Sequence, residues 1–231
     1  TLKAEYYGLE NRFPDSKSRQ MNANGYSPHS WWLKPYVGIN PETGQLQYQG
    51  AEKVETSSSN VETEILDKQG IPKVTGGFNL LLAYKNLELS ALFSFATGHY
   101  IFDRQGSRYT QNDGYELSAI AKSQLDRWTP ENTDSSNPLR INNNSYASSN
   151  TRFLVKGDYL KLRNLTLGYR MPAKWAKAIR VNSIRTFVQA ENLWVLTEMK
   201  DYDPELSMDG YRNYDSYPFA VVLTAGISVN F

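Results

Sequence analysis

The 231-residue chain carries 25 Lys and Arg against 24 Asp and Glu, a net charge of +1 without a long basic run, which excludes a nucleic-acid footprint. It contains no Cys, and so no disulfide framework, thiol nucleophile or thiolate metal site. No stretch approaches the ~18–20 apolar residues of a membrane-spanning helix. A mean hydropathy of -0.58 still leaves a membrane β-barrel open, because half of each barrel strand faces a polar lumen. Aromatic residues make up 13% of the chain, which favours strands or a wet binding surface over helical bundles.

The chain opens Thr-Leu-Lys-Ala-Glu with no Met and no apolar signal segment, so it is expected to start inside a longer polypeptide or after a removed leader. Residues 1–70 show a turn at Asn40-Pro41-Glu42-Thr43-Gly44 and a loop tip at Ser57-Ser58-Ser59-Asn60. No spanning strand stands out there, and the region reads as an extracellular loop with at most a weak strand. Residues 71–231 read as barrel strands with long loops.

Period-two alternation marks the strands. Phe78, Leu80, Leu82 and Tyr84 alternate with Gly77, Asn79, Leu81 and Ala83; Leu87, Leu89, Ala91, Phe93 and Phe95 alternate with Glu88, Ser90, Leu92 and Ser94. The spacing predicts strands at about 77–84 and 86–97, joined by a tight Lys85-Asn86 turn. Further strands are predicted at 158–171, where the phase slips near Asn164, and at 183–195. A last one, 219–231, places Val221, Leu223, Ala225, Ile227, Val229 and Phe231 on one face. Each is near the ~9–11 residues of a tilted bilayer-crossing strand. Loops 98–157 and 197–217 are long and polar, whereas the other connections are short. Asp113 and Glu116 form a capping box ahead of Leu117, Ile120, Ala121 and Leu125, and Trp128-Thr129-Pro130 closes this one short helix. It either packs on its own loop or docks a partner.

Short turns at one end and long loops at the other are the asymmetry of outer-membrane barrels. Aromatics near strand ends (Tyr84, Tyr100, Phe102, Tyr159, Tyr169, Trp194, Tyr217, Phe219) suit an interfacial girdle, and the last strand alternates up to Phe231. Backbone groups in lipid must all be paired, so a sheet there must close, and single-chain bacterial barrels use even counts of about 8 or more strands. Five predicted strands are odd and too few, so the remainder of the barrel is expected upstream of Thr1.

Several stretches, in order, resemble the SusC/RagA-type TonB-linked outer-membrane proteins. They are Ile71-Pro72-Lys73 with Gly76-Gly77-Phe78 and Tyr84-Lys85-Asn86-Leu87-Glu88-Leu89-Ser90, then Arg127-Trp128-Thr129-Pro130-Glu131-Asn132, then Tyr159-Leu160-Lys161-Leu162-Arg163-Asn164-Leu165-Thr166-Leu167-Gly168-Tyr169. Glu191-Asn192-Leu193, Asp201-Tyr202-Asp203-Pro204-Glu205 and the Val229-Asn230-Phe231 ending complete the series, with Asn40-Pro41-Glu42-Thr43-Gly44 as a matching loop. Residues 1–35, including Trp31-Trp32, have no counterpart in the series. The resemblance implies an all-β fold, the C-terminal antiparallel strands of a TonB-dependent barrel of about 22 strands around an N-terminal plug. It further implies a Gram-negative outer-membrane location, a SusD-like lipoprotein lid, TonB coupling through the N-terminal part, and uptake of oligosaccharides or peptides.

No catalytic chemistry stands out, and no cofactor is called for. His29 and His99 are the only histidines and lack metal-ligand spacing. No phosphate loop or nucleophile elbow is present. The acidic series Asp201, Asp203, Glu205, Asp209 and Asp215 has Leu206 where a calcium loop places glycine, and reads as a solvated loop with calcium as the alternative. If the apolar faces (Leu87, Leu89, Phe93, Phe95, Leu223, Ile227, Val229, Phe231) meet lipid, then Asn79, Glu88, Ser90, Ser94, Arg185, Gln189 and Glu191 face the lumen. There they line a hydrated path, meet the plug, or fill space. Tyr109, Tyr115, Tyr146, Tyr202, Tyr211 and Tyr214 are candidates for contact with substrate or lid. Rival readings are a small autonomous barrel or adhesin, and a soluble carbohydrate-binding sandwich.

Overall fold

The computed structural model describes residues 19–23, 25–50, 53–55, 60–109, 121–140, 149–199, 202–206, 210–212 and 219–231. In chain order its strands are β1 (Gln20–Met21), β2 (Ser30–Leu33), β3 (Tyr36–Ile39), β4 (Leu46–Gln49), β5 (Val54–Glu55), β6 (Glu64–Gln69), β7 (Val74–Tyr84), β8 (Leu87–Thr97), β9 (Tyr100–Asp103), β10 (Leu154–Lys156), β11 (Tyr159–Arg170), β12 (Ser183–Thr197), β13 (Tyr211–Arg212) and β14 (Val222–Asn230). Two short helices, α1 (Arg104–Tyr109) and α2 (Ala173–Ala178), accompany them. The chain divides into two compact units. One draws on Thr1–Ile71, His99–Lys156 and Ser207–Ser216; the other on Pro72–Gly98, Gly157–Leu206 and Tyr217–Phe231.

The second unit is one antiparallel sheet in the order β14-β12-β11-β8-β7. Its strands follow one another in the chain, so each pairs with the next and the sheet is a meander. Alternation builds it: Leu89 pairs with Leu82 on one side and Leu167 on the other, so a single register carries one apolar face across three strands. The β7–β8 turn is two residues, with Lys85 at φ 54, the left-handed conformation a tight hairpin turn demands. β7 and β14 are the sheet edges, without a strand partner among the described residues. Eleven residues of β8, at ~3.4 Å each and tilted ~35–45°, rise roughly 26–31 Å, enough to cross the ~25 Å apolar band of an outer membrane.

The other unit holds three small sheets, β1-β2-β6, β3-β4-β5 and β10-β9-β13. Their strands run two to six residues, too short to cross a bilayer. Its core is Trp31, Leu33, Phe102 and Tyr211, with Leu66, Tyr100, Phe153 and Leu154 packed around it. The Trp31 indole N–H donates to the Tyr100 carbonyl at 3.1 Å, which satisfies its one polar group. A second cluster joins Leu46, Tyr48 and Val61. Beside it, Asn40 Oδ1 accepts from the Glu42 N–H at 2.8 Å, the short-range bond that makes Asn a turn residue. Gly44 follows at φ +69, where a Cβ would also run into the Trp128 ring.

The helix expected from Asp113 onward lies mostly outside the described residues. Its described end, Lys122–Leu125, is a single 3-10 turn rather than an α-helix. The described residues of this loop also hold α1, which follows Asp103; that carboxylate accepts the Gly106 N–H at 2.7 Å in an N-cap arrangement.

Candidate functional site

The register sorts the wall's side chains into two faces. Phe78 stacks on Phe93 with centroids 4.7 Å apart, and Leu80, Leu82, Leu165, Leu167, Val188, Leu223 and Ile227 share that face. Leu87, Leu89, Phe95 and Val229 lie on it too, by the same pairing, whereas Phe231 follows the end of β14 and has no register partner. Leu223 and Ile227 are 72% and 70% exposed, far more than a soluble sheet tolerates on so wide an apolar face.

Asn79, Glu88, Ser90, Ser94, Arg185, Gln189 and Glu191 all fall on the opposite face, and the register brings several into contact. Glu88 bridges Arg170 at 2.9 Å and Arg185 at 3.1 Å. Gln189 Nε2 donates to Glu191 Oε1 at 2.8 Å, and Ser90 Oγ to Asn79 Oδ1 at 3.5 Å. The face is not uniformly polar. Leu81 and Leu92 interrupt it, and the Phe187 ring lies across Gly226, where a Cβ would collide with it.

Near the long-loop end the regular ladder breaks. The pairing jumps from Leu162 to Asn164 on β11 and from Trp194 to Glu191 on β12. Arg163 is thus extruded from one strand and Asn192-Leu193 from the other, with Asn192 at φ 52. Bulges of this kind re-aim side chains. Here Arg163 Nε donates to Ser94 Oγ at 2.9 Å, and its guanidinium also pairs with Glu205. Lys161, only 2% exposed, donates to Asp203 at 2.5 Å and Glu205 at 3.2 Å, with its ammonium 4.5 Å from the centre of the Phe219 ring. Two cations and two carboxylates compensate one another, and they fasten the 202–206 segment to the polar face. A cavity of about 290 Å³ lies alongside, lined by Lys161, Asn192, Thr197, Tyr202, Asp203 and Phe219.

This ion cluster was not among the sequence candidates. Lys161 was legible only as a polar residue of a strand, and the acidic series was read without cation partners. Asp203 and Glu205 spend their oxygens on Lys161 and Arg163, so they are not a solvated pair; Asp201, Asp209 and Asp215 lie outside the described residues. Among the described residues no group of three potential metal ligands gathers. Two of the candidate contact tyrosines are interior. Tyr211 is 5% exposed, edge-on to Trp31 at 5.1 Å, and its hydroxyl accepts the Arg19 N–H, so it is a core residue rather than a free contact. Tyr202 is also 5% exposed. Tyr115, Tyr146 and Tyr214 lie outside the described residues, as does the Tyr109 side chain.

No family model matches the chain. Two proteins of Formosa agariphila (strain DSM 15362 / KCTC 12365 / LMG 23005 / KMM 3901 / M-2Alg 35-1) are similar to it. TonB-dependent receptor P3 is 27% identical over 200 residues, covering 79% of this chain and 19% of the receptor. TonB-dependent receptor P26 is 29% identical over 172 residues, covering 70% and 17%. The RagAB peptide transporter superposes with a TM-score of 0.84 at 25% identity, covering 98% of this chain and 25% of that one. The RagAB peptide importer in its "open-open" state gives 0.81 at 26% identity, with 99% and 25% covered. The chain therefore spans 17–25% of the length of these relatives, which are receptors and transporters rather than enzymes. In sequence and in fold, then, the chain is similar to one part of TonB-dependent receptors and of the RagAB transporter.

Proposed function

We propose that this chain is a stretch of barrel wall, with its attached loops, of an importer that takes up oligosaccharides or peptides across the outer membrane. The observation that carries the reading is the five-stranded meander with one broad apolar face, one polar face and two edges without a strand partner among the described residues. The apolar face meets the bilayer. The polar face, from Asn79 and Glu88 to Gln189 and Glu191, lines the lumen and meets the plug. The rest of the barrel continues from β7 and β14, and TonB acts through a part of the transporter that this chain does not contain. Tyrosines of the long-loop segments, Tyr109, Tyr115, Tyr146 and Tyr214, contact substrate or a SusD-like lipoprotein. That RagAB is a peptide importer supports the peptide side of the substrate range.

The test is purification of the full-length transporter from outer membranes in mild detergent. A lipid-modified surface protein is expected to co-purify, and cells lacking the transporter are expected to lose uptake of labelled oligosaccharide or peptide pools. A transporter that purifies alone, together with unchanged uptake, would overturn the reading.

A further inference from the structure

The short-turn end of the wall has a composition that membrane insertion of the strands does not by itself require. Two connections meet there, as the Arg170 N–H donates to the Asn86 carbonyl at 2.8 Å. The first, Lys85-Asn86, places the Lys85 ammonium 5.3 Å from the centre of the Tyr84 ring, itself 70% exposed. The second, residues 171–182, contains Lys174, Lys177 and Arg180 and no Asp or Glu. All four cations are exposed and none makes an ion pair among the described residues, whereas Arg170 and Arg185 are both taken by Glu88. The second connection also forms α2. Ala176 is buried and seats the helix, while Trp175 and Ile179, four residues apart on one face, are 54% and 61% exposed. Exposed Trp and Ile beside three cations on one short connection match neither a packed turn nor a plain solvated one.

We infer that this end of the wall is an anchor for anionic phospholipid headgroups. Lys85, Lys174, Lys177 and Arg180 hold the phosphates, and Tyr84, Trp175 and Ile179 sit at the edge of the hydrocarbon. The inference rests on the barrel-wall reading. Charge complementarity names the occupant: four cations without a carboxylate partner fit a negative surface, and amphipathic rings favour the level where apolar and wet regions meet. Continuity supports it. α2 follows β11 by two residues, the Met171 N–H bonds the Ile184 carbonyl, and the strands below are already as long as the apolar band is thick. The helix therefore stands at headgroup height, on the side where outer-membrane barrels place their short turns.

The test uses the full-length transporter carrying Ala178→Cys as a fluorophore site, reconstituted in phosphatidylcholine bilayers with or without phosphatidylglycerol. A headgroup-bound quencher reports on Ala178. A second site, Leu223→Cys, is read with a tail-bound quencher. Headgroup quenching at Ala178 is expected to be stronger with phosphatidylglycerol. Changing Lys85, Lys174, Lys177 and Arg180 to Gln is expected to lower it roughly twofold or more. Quenching at Leu223 without quenching at Ala178 would overturn the anchor and leave the wall reading standing. Quenching at Ala178 that ignores both phosphatidylglycerol and the Gln changes would also overturn it. Failure of quenching at Leu223 would overturn the wall reading itself, and the anchor with it.

Discussion

Lys161 shows how one side chain can hold a loop to a sheet. Its ammonium is buried between Asp203 and Glu205, so removing the charge leaves two carboxylates with reduced compensation. Breaking a buried pair from one side typically costs ~3–5 kcal/mol, because the remaining charge stays desolvated. Lys161→Met is therefore expected to lower the thermal unfolding temperature of the purified transporter. Adding Asp203→Asn and Glu205→Gln should restore much of the loss; a triple variant as unstable as the single would mean the packing of the lysine stem, not its charge, is what matters. Gly226 gives a steric counterpart. A Cβ there meets the Phe187 ring, so Gly226→Val is expected to cost ~1–3 kcal/mol in the same melt, while Ala225→Val on the opposite face costs less.

At the scale of the strand, the two faces make opposite demands on a charge. An arginine on the lipid face near the bilayer middle costs ~2–4 kcal/mol, whereas the lumen face is hydrated. Leu223→Arg on β14 is expected to reduce the heat-modifiable, folded form of the transporter on gels. Gln189→Arg, on the opposite face of neighbouring β12, should leave that form unchanged. Equal damage from both would reverse or erase the face assignment. The strands themselves were legible because alternation is local: Phe78–Tyr84 and Leu87–Phe95 announce their faces without a partner. The bulge was half legible. The phase slip near Asn164 marks β11, but the compensating extrusion of Asn192-Leu193 on β12 has no local signature.

At the scale of the molecule, a five-stranded sheet whose two edges lack a partner among the described residues leaves backbone donors and acceptors that lipid cannot satisfy. The 231-residue chain expressed by itself is expected to give no heat-modifiable species in outer membranes, while the transporter containing it does. A folded, heat-modifiable 231-residue product would instead revive the small autonomous barrel. The first unit behaves differently, as a packed body of short strands around Trp31 and Phe102. Trp31 and Leu33, from a region where no spanning strand stands out in sequence, share this core with Phe102 and Tyr211 of the two long loops.

Composition, alternation and motif order by themselves pointed to the all-β class, to strand positions near those of the sheet, and to the residues expected to share a face. All three depend on neighbours within a few positions, where strand physics writes a period of two into the sequence. Only the tertiary structure decided the rest. Trp31, Phe102 and Tyr211 form one core although they are 71 and 109 residues apart in turn, and Lys161 meets Asp203 across 42. Such pairings are set by chain return and desolvation rather than by local pattern, so a core tyrosine and a loop tyrosine look alike in sequence. Burial separates them.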